Sequence, residues 1–116
     1  MVGLEDLQGL LERVCENVSH IESRGADFPR IVYTEVGCKY DEFDNFPAYW
    51  RYTVGVDLFS VTEFEPLFKT LIELFTANNV PFQVEFIEHG TLQNPKAGEK
   101  VYEGVTWYRF LCEVGF

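Results

Sequence analysis

The chain has 116 residues, with 19 acidic against 9 basic side chains for a formal charge of -10, and it is 47% hydrophobic and 16% aromatic. That length suits a single domain, residues 1–116, able to bury about two-thirds of its unfolded surface, and 11 Phe, 6 Tyr and 2 Trp make it too apolar for disorder. The acidic balance speaks against a protein that grips DNA, because such binding relies on Lys and Arg neutralising phosphates.

Residues 4–18 carry Leu4, Leu7, Leu10, Leu11, Val14, Cys15 and Val18 at spacings of three and four, which predicts an amphipathic helix. Its wet side holds Glu5, Asp6, Glu12, Arg13 and Glu16, and the acids in the first turn suit the helix dipole. A brief edge strand is expected over residues 20–23, before Gly25 and Pro29 interrupt the chain. Residues 30–38, RIVYTEVGC, are rich in β-branched and aromatic side chains and predict a strand that is apolar on both faces. The segment KYDEFDNFPAY reads as a loop or hairpin tip.

Residues 50–60 alternate, with Trp50, Tyr52, Val54, Val56 and Leu58 on one face and Arg51, Thr53, Gly55 and Asp57 on the other, as in a half-covered antiparallel strand. A second helix begins between Ser60 and Pro66, where Thr62 and Glu65 offer a capping box. It buries Leu67, Phe68, Leu71, Ile72, Leu74 and Phe75, and ends at Asn78 and Asn79 before Pro81. In residues 82–88 alternation points Phe82, Val84 and Phe86 inward. EHGTLQNPKAGEKVYEG reads as a long loop or irregular hairpin arm, and the closing VTWYRFLCEVGF places Tyr108, Phe110, Cys112, Val114 and Phe116 on one face. The expected fold is therefore α+β in the order α, short β, β, β, α, β, β: an antiparallel or mixed sheet with two helices on one face.

No stretch approaches the roughly 18 apolar residues that span a bilayer, and MVGLEDLQGLLERV lacks the basic and apolar regions of a signal peptide. Cys15, Cys38 and Cys112 are odd in number and widely spaced, which favours free thiols in a reducing compartment. His20 and His89 have no ligand-spaced partner, and no phosphate loop, nucleophile elbow or dinucleotide fingerprint occurs. Neither an enzyme nor a cofactor is expected. Asp41, Glu42 and Asp44 cluster without the glycine and distal Glu of a calcium loop, leaving a weak divalent-ion site or a solvated tip.

Ile31, Tyr33, Phe59, Ile87, Trp107 and Leu111 lie opposite the best core stripes or on strands apolar on both sides, and Tyr40, Phe43, Phe46 and Tyr49 crowd one loop. This surplus of apolar surface predicts subunit association, with Tyr33, Tyr40, Phe43, Phe46, Tyr49 and Trp107 as interface candidates.

The sequence of features, an amphipathic helix, FPRIVYTEV, an acidic DNF segment, WRYTVGVDLFS, the helix EPLFKTLIELFTANNVPF and the closing YRFLCEVGF, resembles the tail terminator and minor tail (tail-to-head joining) proteins of long-tailed bacteriophages. The resemblance runs from Leu4 to Phe116 and rests on residue type rather than invariant letters. It implies a virion subunit, made in the host bacterial cytoplasm, that forms a hexameric ring. Such a ring stops growth of the tail tube, meets the tube protein and the head connector, and lets DNA pass without binding it. Asp41, Glu42 and Asp44 are then candidate channel-facing acids. The alternative from another class is an acidic inhibitor or DNA mimic that occupies a host nuclease or regulator. It would want acids in two rows along one surface, whereas these are scattered.

Overall fold

The computed structural model describes residues 2–21, 28–41, 49–61, 66–92 and 102–115. Helix α1 (Leu4–Glu12) leads into strand β1 (Val18–His20), followed by β2 (Arg30–Asp41), β3 (Tyr49–Ser60), helix α2 (Pro66–Ala77), β4 (Phe82–Leu92) and β5 (Tyr102–Gly115). The strands form one mixed sheet in the order β1-β2-β3-β5-β4, in which β1 runs parallel to β2 and every other pair is antiparallel. Both helices cover one face, giving the two-layer α+β architecture that the periodicities predict.

The core lies between that face and the helices. Leu7, Leu10 and Leu11 of α1 and Leu71 and Phe75 of α2 pack on Val54, Val56, Leu58, Tyr108, Phe110, Cys112 and Val114, the alternate positions of the two central strands. Phe75 meets Phe110 edge-on with centroids 5.8 Å apart, and Phe68 lies 4.8 Å from Tyr108. Each such side chain contributes about 1.5–3 kcal/mol on leaving water. Cys15 and Cys112 are buried free thiols and Cys38 is exposed. No helix among the described residues is long and apolar enough to cross a membrane.

Helix α2 ends as its asparagines predict. Asn79 takes a positive φ of 55°, Val80 N–H donates to Phe75 O at 2.9 Å, and Asn79 N–H donates to Thr76 O at 3.2 Å. This paired closure satisfies carbonyls that the last turn would otherwise leave open, and it buries Val80 against the core. The capping residues Thr62 and Glu65 lie outside the described residues.

Several expectations need correction. Helix α1 stops at Glu12 rather than Val18: Cys15 still reaches the core through a tight turn, while Val18 pairs with Ile31 in β1. The edge strand therefore sits at Val18–His20, earlier than residues 20–23. Ile31 and Tyr33 belong to the helix-side core, not to a surplus face, because β2 sends them inward and Val32 outward. On β4 a bulge between Val84 and Phe86 places Glu85 and Phe86 together opposite Arg109. Phe86 thus packs on Trp107 across the other face, and Val84 remains exposed.

The strands run longer than the alternation indicates, and the two hairpins leave the sheet from opposite ends. At one end β2 and β3 continue to the pair Asp41↔Tyr49, past the last β3–β5 pair Arg51↔Gly115. At the other, β4 and β5 continue to Leu92↔Tyr102, past the end of β3 at Ser60↔Thr106. The result is an elongated body of 54 × 30 × 23 Å.

Candidate functional site

The helix-free face carries the polar positions of β3 and β5, and pairing brings them together. Asp57 sits opposite Arg109, and Phe59 opposite Trp107. Trp107 Nε1–H donates to Asp57 Oδ1 at 2.7 Å, while Arg109 Nη1 donates to Oδ1 at 3.2 Å and to Oδ2 at 3.1 Å. Arg109 Nε lies 3.5 Å from Glu85 Oε2 on β4, so one guanidinium links three adjacent strands. It can lie flat because Gly55 has no β-carbon; an added one would overlap the guanidinium.

Beside this cluster Val32, Phe59 and Val105 form a second buried patch with Phe28 and Trp107. Arg30 spreads over it, its guanidinium 4.8 Å from the Phe28 ring and 5.5 Å from that of Phe59. Much of the apolar surplus expected on this face is thereby absorbed by the chain itself.

Asp57 is only 7% exposed. Burial pushes its carboxyl above the usual Asp range, with Glu85 adding to the effect, against the opposing pull of the Trp107 hydrogen bond and the Arg109 charge. Both carboxylate oxygens are engaged by protein donors, so the geometry ties strands together rather than holding a reacting atom. A second polar set lies on the helix side, where the His20 ring stacks on Tyr33 at 4.6 Å and its Nε2 sits 2.8 Å from both Glu35 oxygens. Burial acts to raise the Glu35 carboxyl, but the His20 hydrogen bond, a backbone hydrogen bond and the charge of a protonated His20 outweigh it, and the group lies below the usual range. Burial, then Glu35 and Glu12, push the Tyr33 hydroxyl upward. His89 Nδ1 pairs with Thr106 Oγ1 at 2.9 Å. No group of three or more His, Cys, Asp or Glu among the described residues is placed to hold a metal.

The interface candidates are scattered. Tyr33 is 6% exposed within the helix-side core, leaving it little surface for a neighbour, and Trp107 is half-buried on the opposite face. Tyr40, Asp41 and Tyr49 lie on the β2–β3 hairpin, where Tyr40 registers with Trp50 and Asp41 with Tyr49. Glu42, Phe43, Asp44 and Phe46 lie outside the described residues. Sequence reasoning missed the Asp57–Arg109 and His20–Glu35 pairs. The available signal was opposite charges at the polar positions of two otherwise apolar alternating strands. Compared with known proteins, the chain matches no family model and no curated protein.

Proposed function

We propose that the chain is a structural subunit of a long-tailed phage, assembling with copies of itself into a ring that caps the tail tube and meets the head connector. The observation that carries this reading is the pair of hairpins that leave the sheet from opposite ends of an elongated body. A ring between tube and connector needs each subunit to reach past the ring plane on both sides. One hairpin supplies each side, while the helix-covered middle remains for contacts between neighbours. A head-to-tail ring also requires two different patches on each subunit, which an elongated sheet with dissimilar edges offers. The formal charge of -10 accords with a ring through which DNA slides without sticking.

Electron microscopy and light scattering of the purified protein, alone and with phage tail tubes, test the reading. Closed rings, or rings formed at tube ends, are expected. A monomer at every concentration that never caps tubes overturns it.

A further inference from the structure

We propose that two copies of the chain join through β4, each β4 pairing antiparallel with the other about a two-fold axis, so that one sheet runs through both subunits. This contact belongs to the free subunit and goes beyond the ring reading, on which it does not rest.

Strand β4 is the terminal strand of the sheet and pairs only with β5 among the described residues. Its border is open to water: of residues 83–90 every one but Phe86 is exposed, Val84 to 39% and Ile87 to 46%. An edge with branched apolar side chains and outward amides is a template for another strand, and proteins often blunt such edges with Lys or Pro. From Phe82 to Leu92 β4 has neither.

The bulge in β4 decides what fits beside it. Glu113 N–H donates to Pro81 O at 2.9 Å, and stepping by two from that pair turns the backbone of Gln83 toward β5 and that of Phe82 and Val84 outward. Glu85 and Phe86 share one position opposite Arg109, so past them Ile87 and His89 turn outward and Glu88 toward β5. The side chains follow the same rhythm. Phe82, Val84, Ile87 and His89 register with Cys112, Phe110, Tyr108 and Thr106 on the helix face. Gln83, Phe86 and Glu88 register with Leu111, Arg109 and Trp107 on the helix-free face, where Glu85 also reaches Arg109. From residue 82 to 89 the faces therefore run helix, free, helix, free, free, helix, free, helix, the same in both directions. A regular strand laid along this edge would match on one side of the bulge and fall on the wrong face past it. A second β4 running the other way brings its own bulge to the same level and matches throughout.

That symmetry selects one register. Val84 faces Ile87 of the second copy, Phe82 faces His89, Gln83 faces Glu88 and Glu85 meets Phe86, so outward amides find outward carbonyls and no like charges stand directly opposite. Val84 and Ile87 of both copies then form one apolar strip. The helices leave room for it. Helix α2 rests on β5 through Phe68 and Phe75 against Tyr108 and Phe110, which sets the two α2 helices three strand spacings, about 14 Å, apart. Packed helices approach to roughly 8–10 Å. A two-fold contact is saturated by two copies, so it shields the edge without growing into fibres.

Register-specific cross-linking tests the contact. In a Cys38→Ser background, which removes the exposed thiol, Val84→Cys and Ile87→Cys are oxidised separately and as a mixture. The mixture is expected to form a linked dimer well ahead of either protein alone, because residue 84 of one copy lies beside 87 of the other and about 9 Å from its own counterpart, past disulfide reach. Linkage of either protein alone as fast as the mixture, or no linkage in the mixture, overturns the proposal. Val84→Pro removes the amide that donates between copies and leaves the β5 ladder intact. By sedimentation it should weaken the dimer by roughly tenfold while the far-ultraviolet spectrum is unchanged. A Val84→Pro dimer as tight as that of the parent overturns the edge contact. A parent that sediments as a monomer yet caps tail tubes overturns the pairing and leaves the ring reading standing, whereas a parent dimer that links as described and never caps tubes upholds the pairing and overturns the ring.

Discussion

The guanidinium of Arg109 occupies the space that a β-carbon on Gly55 would need. Gly55→Ala must therefore displace Arg109 from Asp57, at a cost of roughly 1–3 kcal/mol for overpacking and a weakened ion pair. The effect is conditional on Arg109. In an Arg109→Ala background Gly55→Ala should cost nothing further, since alanine suits a strand better than glycine. Urea denaturation of the four proteins in this cycle measures the coupling, and additive losses would show that the two residues act separately.

Two carboxylates should pull the pH dependence of stability in opposite directions. The folded pKa of Asp57 lies above the unfolded one, so its contribution is fully present below the ordinary Asp range and is lost as pH rises through the folded value. Glu35 has a lowered folded pKa, so its contribution is present above the ordinary Glu range and is lost as pH falls through the folded value. With urea midpoints measured from about pH 2 to 7, Asp57→Asn should flatten the decline with rising pH and Glu35→Gln the decline toward acid. Unaltered profiles in both variants would contradict these assignments.

Asn79 holds the left-handed position that closes α2. Asn79→Ala should cost about 1 kcal/mol, lowering Tm by roughly 4 °C, whereas Asn79→Gly should cost nothing. Calorimetry of the two variants separates a backbone requirement from a side-chain contact. Equal losses in both would favour the contact.

Thiol reactivity should divide the cysteines sharply. Burial, then the neighbouring Glu113 charge, push the Cys112 thiol up to about 12, and Cys15 is buried too. Of the three free cysteines, Cys38 alone should react promptly with a chromogenic disulfide at about pH 8, and the other two only after unfolding in guanidinium. Prompt reaction of a second thiol would mean that one of those sites opens readily.

The fold was legible where a regular period reports burial directly. Val54, Val56 and Leu58, and Tyr108, Phe110, Cys112 and Val114, alternate without interruption and point to the helices as predicted. Phe86 was misplaced because the extra residue of a bulge reverses the alternation, and nothing in the letters marks Glu85 as that residue. The end of α1 was overshot because Cys15 keeps helical spacing although the chain reaches the core through a turn. The Asp57–Arg109 pair, 52 positions apart, depends on β5 lying beside β3, an order that alternation leaves undetermined. His20 and Glu35 meet only because β1 is parallel to β2, which the spacing of the two segments does not specify.

The place of β5 between β3 and β4 also governs the order in which this fold can come into being. As the chain leaves the ribosome, β4 emerges before β5, the strand it pairs with, and Leu7, Leu10 and Leu11 wait for Val114 and Cys112 to complete their bed. The Gly115 N–H that donates to Val2 O at 2.8 Å ties the last described residue to the first. Closure is therefore a late, collective event dominated by distant pairings, and refolding on the millisecond-to-second scale is the natural pace for such a topology. Until it happens, β4 stands without β5 beside it, so the timing of synthesis bears on whether copies meet as finished subunits or tangle as partial ones.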